Sequence, residues 1–147
     1  MKELLYTFFS VLLIFSSCNP VQPNNTLASQ NIYSVIDISN SPERTYNSLF
    51  SGTGGTSFQV LNGSFSYTSD TWTQDWISGQ KFPYTIALNT GDQIVGCADV
   101  EIRTYNNTNL INTENFQIGY SQLSPPIFCD NLVANNSFSK NIQIVAD

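Results

Sequence analysis

The chain has 147 residues, five Lys and Arg against eleven Asp and Glu, a formal net charge of −6, and no histidine. A nucleic-acid partner is therefore not expected, because binding to phosphates depends on clusters of basic side chains. Without histidine the chain lacks the commonest general base and transition-metal ligand, and the Ser-His-Asp and Cys-His arrangements of hydrolases. We accordingly predict a protein that is not an enzyme and that holds no cofactor and no metal.

The first 17 residues have the three parts of a secretory signal peptide. Lys2 gives a positive start, an apolar run extends from Leu4 to Phe15, and two serines follow it. The run is too short to span about 30 Å of hydrocarbon as a helix, which takes roughly 20 residues. It is also apolar on all sides, whereas a buried helix of a small domain would have an amphipathic pattern. We therefore predict that residues 1–17 are a signal peptide.

Cys18 stands directly after this signal, and the sequence Phe15-Ser16-Ser17-Cys18 resembles the lipobox of bacterial lipoproteins. In that family the signal is cleaved before a cysteine that carries acyl chains, palmitate among them, and becomes the mature N-terminus. The resemblance implies that Cys18 anchors the protein on a membrane that it does not span; a plain secreted protein is the alternative. Residues 19–23 lack the acidic side chains of surface-export signals, which favours a periplasm-facing position at the outer membrane.

Residues 19–30 contain two prolines, no charge and few large apolar side chains, so we expect a disordered tether that includes Cys18 and ends at Gln30. From Ile32 onward, β-branched and aromatic residues alternate with turns rich in Asn, Gly and Ser. Strands are predicted at residues 32–38, 58–61, 65–68, 82–88, 93–98, 100–102, 110–119, 127–133 and 138–145, with a weaker candidate at 44–50. Strands this short, with turn signals about every ten residues and no helix, predict an all-β fold, an antiparallel Ig-like β-sandwich over residues 31–147.

Two local patterns predict how these strands lie. Asn62-Gly63 between apolar runs is typical of a β-hairpin, which would join the strands at 58–61 and 65–68. Alternation along two strands predicts the side chains that face the core, which are Phe82, Tyr84, Ile86, Leu88, Phe116 and Ile118.

With Cys18 acylated, Cys97 and Cys129 are the two remaining cysteines. An even pair in an exported chain more often forms a disulfide than remains as free thiols. We predict a Cys97–Cys129 bridge; two buried thiols in neighbouring strands are the alternative.

Trp72 and Trp76 belong to the densest aromatic cluster of the chain. A spacing of four places both rings on the same side of an extended strand, so both are exposed or both belong to the core. If exposed, they would form a platform on which sugar rings stack, and they are therefore candidate ligand-binding residues.

Several acidic residues lie close together in the sequence, and carboxylates in loops can bind Ca²⁺. No Ca²⁺-loop motif joins them, however, and turns favour Asp for conformational reasons. We interpret them as solvated turn residues: Asp70, Asp75, Asp92, Asp99 and Glu101.

Between residues 82 and 113, a strand of alternating aromatics, the turn Thr90-Gly91-Asp92, a strand at Val100-Glu101-Ile102 and a returning segment at Leu110 follow one another at short intervals. This order resembles the MmpS-type family of small exported β-sandwich proteins and its Bacteroidetes lipoprotein relatives. The resemblance implies an Ig-like sandwich without catalytic residues, accessory to an envelope transporter or complex. We therefore expect a membrane-anchored, non-enzymatic interaction domain; a glycan- or surface-binding module that uses the two tryptophans is the alternative.

Overall fold

The computed structural model describes residues 26–91, 94–120, 129 and 136–147. Of these residues 79% lie in strands and none in a helix, and two antiparallel sheets pack against each other, which confirms the predicted β-sandwich. The described residues form nine strands: β1 (Leu27–Ser41), β2 (Arg44–Phe50), β3 (Gly54–Val60), β4 (Gly63–Thr68), β5 (Trp72–Ile77), β6 (Lys81–Thr90), β7 (Gly96–Asn106), β8 (Asn109–Tyr120) and β9 (Ser137–Val145). Within these ranges, no helix is long and apolar enough to cross a membrane.

Strand β1 organises the larger sheet, which has the order β4–β1–β7–β8, with β5 also paired to β1. Strands β4 and β5 lie one after the other along the same edge of β1. Val35 pairs with Thr68, and Ile32 pairs with Trp72. Two residues of β1 lie between these pairs, whereas three residues lie between them on the β4–β5 side. The extra residue makes a β-bulge at the junction of β4 and β5. The smaller sheet has four strands in the order β3–β2–β6–β9.

The core lies between the sheets and is built from alternate residues of the central strands. Ile32, Ile36 and Ile38 of β1 face residues of β6 across the interior, and all are buried. Each of the side chains for which the sequence predicts an inward position is buried, namely Phe82, Tyr84, Ile86, Leu88, Phe116 and Ile118. The period of two therefore predicts the faces of these strands correctly.

The hairpin predicted at Asn62-Gly63 is wrong. Strand β3 ends at Val60 and pairs with β2 in the four-stranded sheet, whereas β4 begins at Gly63 and pairs with β1 in the five-stranded sheet. Asn62-Gly63 therefore carries the chain from one sheet to the other. Gly63 has a φ of 89°, and a glycine in this conformation suits a sheet-to-sheet corner as well as a hairpin turn.

The predicted tether extends too far. Strand β1 begins at Leu27, and Gln30, expected to end a disordered segment, is fully buried. Its side-chain oxygen accepts a hydrogen bond from Asn106 Nδ2 at 2.5 Å and one from the backbone N of Asp147 at 3.1 Å. A polar segment can thus be part of a core when its polar groups are paired, which composition does not reveal. The sandwich starts at Leu27 rather than residue 31, while residues 1–25, with the predicted signal peptide and Cys18, lie outside the described residues.

The observed strands differ from the predicted ones in two further places. Residues 96–98 and the segment predicted at 100–102 belong to the single strand β7, which begins at Gly96. Strand β5 was not among the predicted strands, although the spacing of its tryptophans implied an extended conformation. The strand predicted at 127–133 lies outside the described residues, apart from Cys129.

Candidate functional site

The outer face of the five-stranded sheet carries a trough of about 700 Å³. It crosses four strands at the point where their outward-facing side chains are small or polar. One row of paired residues runs Ser66, Asp37, Glu101 and Asn115, and the next contains Ser39, Asp99 and Gln117. Because these residues alternate with inward-facing apolar ones, the polar trough lies directly above the core.

Asp99 is held from two sides in the trough. Gln117 Nε2 donates a hydrogen bond to one carboxylate oxygen at 2.7 Å, and Asn40 Nδ2 donates to the other at 2.6 Å. The bond from Gln117, followed by that from Asn40, lowers the pKa of Asp99 below its ordinary value of 3.8. The carboxylate is therefore ionised at neutral pH and fixed in orientation.

Two further carboxylates in the trough share one guanidinium group. Arg103 makes an ion pair with Asp37, and its Nε lies 2.9 Å from Glu101 Oε1. The hydrogen bond to Asp37 is the main cause that raises the pKa of Arg103. Together with Asp99, this part of the surface has three carboxylates and one guanidinium, which gives it two net negative charges.

The strand positions of these acids correct one prediction. Asp99 and Glu101 lie in the middle of β7, not in a turn, and each has a partner on a neighbouring side chain. Asp75 also lies in a strand, Asp70 lies between β4 and β5, and Asp92 is outside the described residues. Among the described residues there is no group of three or more side chains suited to hold a metal ion.

Two tyrosines continue the same outer face toward the beginning of β1. Tyr33 and Tyr105 are paired across β1 and β7, and their rings stack with centroids 5.0 Å apart. One row, Val35 beside Arg103, separates this stack from the trough. The outer face thus has aromatic rings near ionised acids and amides, which are groups that bind ammonium, guanidinium and hydroxyl groups.

Trp72 and Trp76 lie on the same side of β5, as their spacing predicts, and both pack against the core. Trp76 stacks on Phe82 with centroids 4.4 Å apart, and Trp72 stacks on Tyr84 at 6.1 Å. Both rings are only partly exposed, and one face of each is covered by these contacts. The arrangement favours the core alternative over a platform for sugars.

Cys97 and Cys129 form a disulfide, with Cα atoms 5.7 Å apart. The bridge fixes residue 129 against β7 and β8, close to the trough. Gly119, paired with Cys97, is needed there, because a Cβ atom on it would lie 3.1 Å from the sulfur of Cys129 and closer still to a backbone oxygen of Gly96. The alternative of two separate buried thiols is excluded by this geometry.

The trough could not be predicted from the sequence. Its signal was present as acids and amides that alternate with apolar residues in β1, β7 and β8, but which strands are neighbours could not be read from the sequence. Comparison with protein-family models, curated proteins and solved structures found no match. The relationship to the MmpS-type family therefore stays a prediction.

Proposed function

We propose that this protein is a membrane-anchored lipoprotein of the cell envelope whose sandwich is a non-enzymatic binding domain. In this proposal Cys18 carries the lipid, the domain faces the periplasm at the outer membrane, and the trough binds a protein of an envelope transporter or complex. The observation that carries the proposal is the trough itself: a depression of about 700 Å³ whose lining combines acids and amides with apolar side chains, and whose charged groups are already oriented.

The direction of β1 supports this role. The strand starts at Leu27, the end nearest to Cys18 in the chain, and reaches the trough at Asp37 and Ser39. Ten to twelve residues of strand, at about 3.3 Å each, separate the start of β1 from the trough by roughly 35 Å. The trough consequently lies on the half of the sheet that points away from an anchor at Cys18 and is open to a partner.

The charge of the trough indicates the chemistry of that partner. Asp99 is ionised, and in the part of the chain that the structure describes its side-chain contacts are the neutral amides of Asn40 and Gln117. A carboxylate held in this way binds Lys or Arg side chains well, because its orientation is fixed before binding. We therefore propose a partner segment that carries basic side chains.

A pair of matched variants tests the trough. Ser66 lines it, whereas Thr68 lies two residues further along the same face of β4 and outside it, and both are exposed. Ser66→Arg places a long cationic side chain opposite Asp37 and fills the trough, while Thr68→Arg adds the same charge beside it. The tagged full chain would be crosslinked in native membranes, solubilised in detergent and purified with whatever is bound.

Wild type and Thr68→Arg are expected to recover the same envelope protein, and Ser66→Arg is expected to lose it. Equal recovery with both variants would contradict the trough as the binding surface. Recovery of polysaccharide without any protein would contradict the protein partner and favour the glycan-binding alternative.

A further inference from the structure

Exposed apolar side chains lie on both outer faces of the sandwich at the end where β1 begins, Leu27 and Ile77 on the five-stranded sheet and Val145 on the four-stranded sheet. Leu27 is 62% exposed and pairs across the sheet with Ile77, which is 37% exposed. Val145, near the end of β9, is 49% exposed. We call these three side chains the Leu27 tip. Leaving them in water is unfavourable, so contact with an apolar surface at this end of the domain would be stabilising.

Backbone hydrogen bonds hold the members of the Leu27 tip together. Gln80 N donates to the carbonyl oxygen of Ile77 at 2.9 Å, and Gly79 N donates to that of Ala146, beside Val145, also at 2.9 Å. Leu27 is fixed by its strand pairing with Ile77. The tip is therefore a rigid part of the fold.

The length of chain before β1 places the tip close to any lipid carried by Cys18. Eight residues separate Cys18 from Leu27. Even fully extended, a segment of that length spans no more than about 30 Å. Leu27 is thus the part of the sandwich that an anchor at Cys18 keeps nearest to the bilayer, and Ser41 lies at the opposite end of the same strand.

We infer that the Leu27 tip docks on the lipid bilayer, with its apolar side chains among the headgroups. This inference rests on the proposed lipid anchor at Cys18, and it adds an orientation, because a docked tip directs the trough away from the membrane. Of the residues that the structure describes, Asp75, Lys81 and Asp147 are the charged ones next to the tip in sequence or strand pairing, and they give no net attraction to anionic lipid. The contact is therefore apolar, and a zwitterionic bilayer suffices for it.

Tryptophan fluorescence gives a direct measure of this contact, since Trp76 adjoins Ile77 and its ring is partly exposed. The full chain would be produced in a bacterial envelope, and acylation of Cys18 measured by mass spectrometry. The purified protein is then placed in phosphatidylcholine vesicles with or without brominated acyl chains, which quench tryptophan only over short distances.

The test variant carries Leu27→Thr, Ile77→Thr and Val145→Thr, because threonine keeps the preference for strands while it removes apolar surface. Its control is Leu61→Thr, which changes a side chain that is 70% exposed at the opposite end of the sandwich. Circular dichroism of each variant reports whether the sandwich is intact.

Brominated lipid is expected to quench the acylated wild type and Leu61→Thr equally, and the triple variant is expected to lose this quenching while it stays acylated and folded. Acylated wild type without quenching would overturn the docked tip and leave the anchor standing, as would unchanged quenching in a folded triple variant. If the wild-type protein carries no acyl chain at Cys18, the proposed anchor fails, and the docked orientation that depends on it fails too.

Discussion

The hydroxyl of Ser34 lies in a polar group inside the core that links the two sheets. It is 2.9 Å from the hydroxyl of Thr104 in the same sheet and 3.4 Å from that of Tyr84 in the opposite sheet. Burial raises the pKa of Tyr84, partly offset by hydrogen bonds with Ser34 and Ser69. The phenol is therefore protonated at neutral pH and available as a donor.

We expect Tyr84→Phe to lower the free energy of unfolding by about 1 kcal/mol, the net contribution of a typical hydrogen bond in proteins. The ring and its packing remain, and Ser34 keeps Thr104 as a partner, so the loss is limited to the hydrogen bonds of the phenol with Ser34 and Ser69. Urea unfolding followed by fluorescence measures it.

The control is Tyr33→Phe, which removes the same hydroxyl from the outer face of the sheet and should change stability by less than about 0.5 kcal/mol. Equal effects of the two substitutions would show that the inter-sheet hydrogen bond adds nothing.

At the scale of single residues, the burial of polar side chains could not be predicted from the sequence. The alternation of residues from Phe82 to Leu88 predicts which side chains of that strand are buried, because apolar side chains at a period of two indicate a strand with one buried face. Ser34, Gln30 and Arg44 are equally buried, yet a polar residue is usually exposed unless a partner is present. The partners lie on distant strands, as with Asn106 for Gln30, so the sequence around each residue does not reveal them.

At the scale of elements, the turn between β2 and β3 packs closely against Trp72 of strand β5. Gly52 and Gly54 both have positive φ, 81° and 82°. A Cβ atom on Gly52 would overlap the indole ring of Trp72, whereas one on Gly54 would meet nothing within 4 Å. The turn thus passes directly over the tryptophan and helps to hold it against Tyr84.

Gly54→Ala is expected to cost about 1 to 2 kcal/mol, the strain of a Cβ atom in the left-handed region. Gly52→Ala carries the same strain and in addition displaces Trp72, so its loss should be larger by about 1 to 3 kcal/mol, as in other overpacked cores. Urea unfolding of both variants measures the difference. Near-ultraviolet circular dichroism should change only for Gly52→Ala; similar losses and spectra would contradict the close contact.

Strand positions could largely be predicted from local patterns, whereas strand partners could not. The segment from Leu110 to Gly119 was predicted as a strand and is part of β8, but the partners of β3 and β4 were predicted wrongly at Asn62-Gly63. Pairing depends on contacts between residues far apart in the sequence, here Ile38 with Phe65 and Asp37 with Glu101. The trough exists only because β4, β1, β7 and β8 are neighbours, so it could not be predicted without these pairings.

At the scale of the whole molecule, the disulfide holds a distant part of the chain at the end of the sandwich that carries the trough. It joins Cys97, near the start of β7, to Cys129, and closes a loop with a sequence separation of 32. This loop contains the β7–β8 hairpin, whose residues Asp99 and Gln117 are part of the trough. Strand β7 is also paired along its length with β1 and β8, so backbone pairing holds this part of the sheet in place independently of the disulfide.

Removing the bridge should therefore lower stability strongly and leave the trough in place. In the chain-entropy model a loop of this size contributes about 3 to 4 kcal/mol by restricting the unfolded chain. We expect Cys97→Ser with Cys129→Ser to lose about that much in urea unfolding, and reductant to destabilise the wild type equally but the double variant not at all. Below the unfolding transition, the double variant should still recover the partner that Ser66→Arg loses. Loss of the partner from a folded double variant would show instead that the trough depends on the bridge, because the backbone pairing around Asp99 alone would then be too weak to hold its shape.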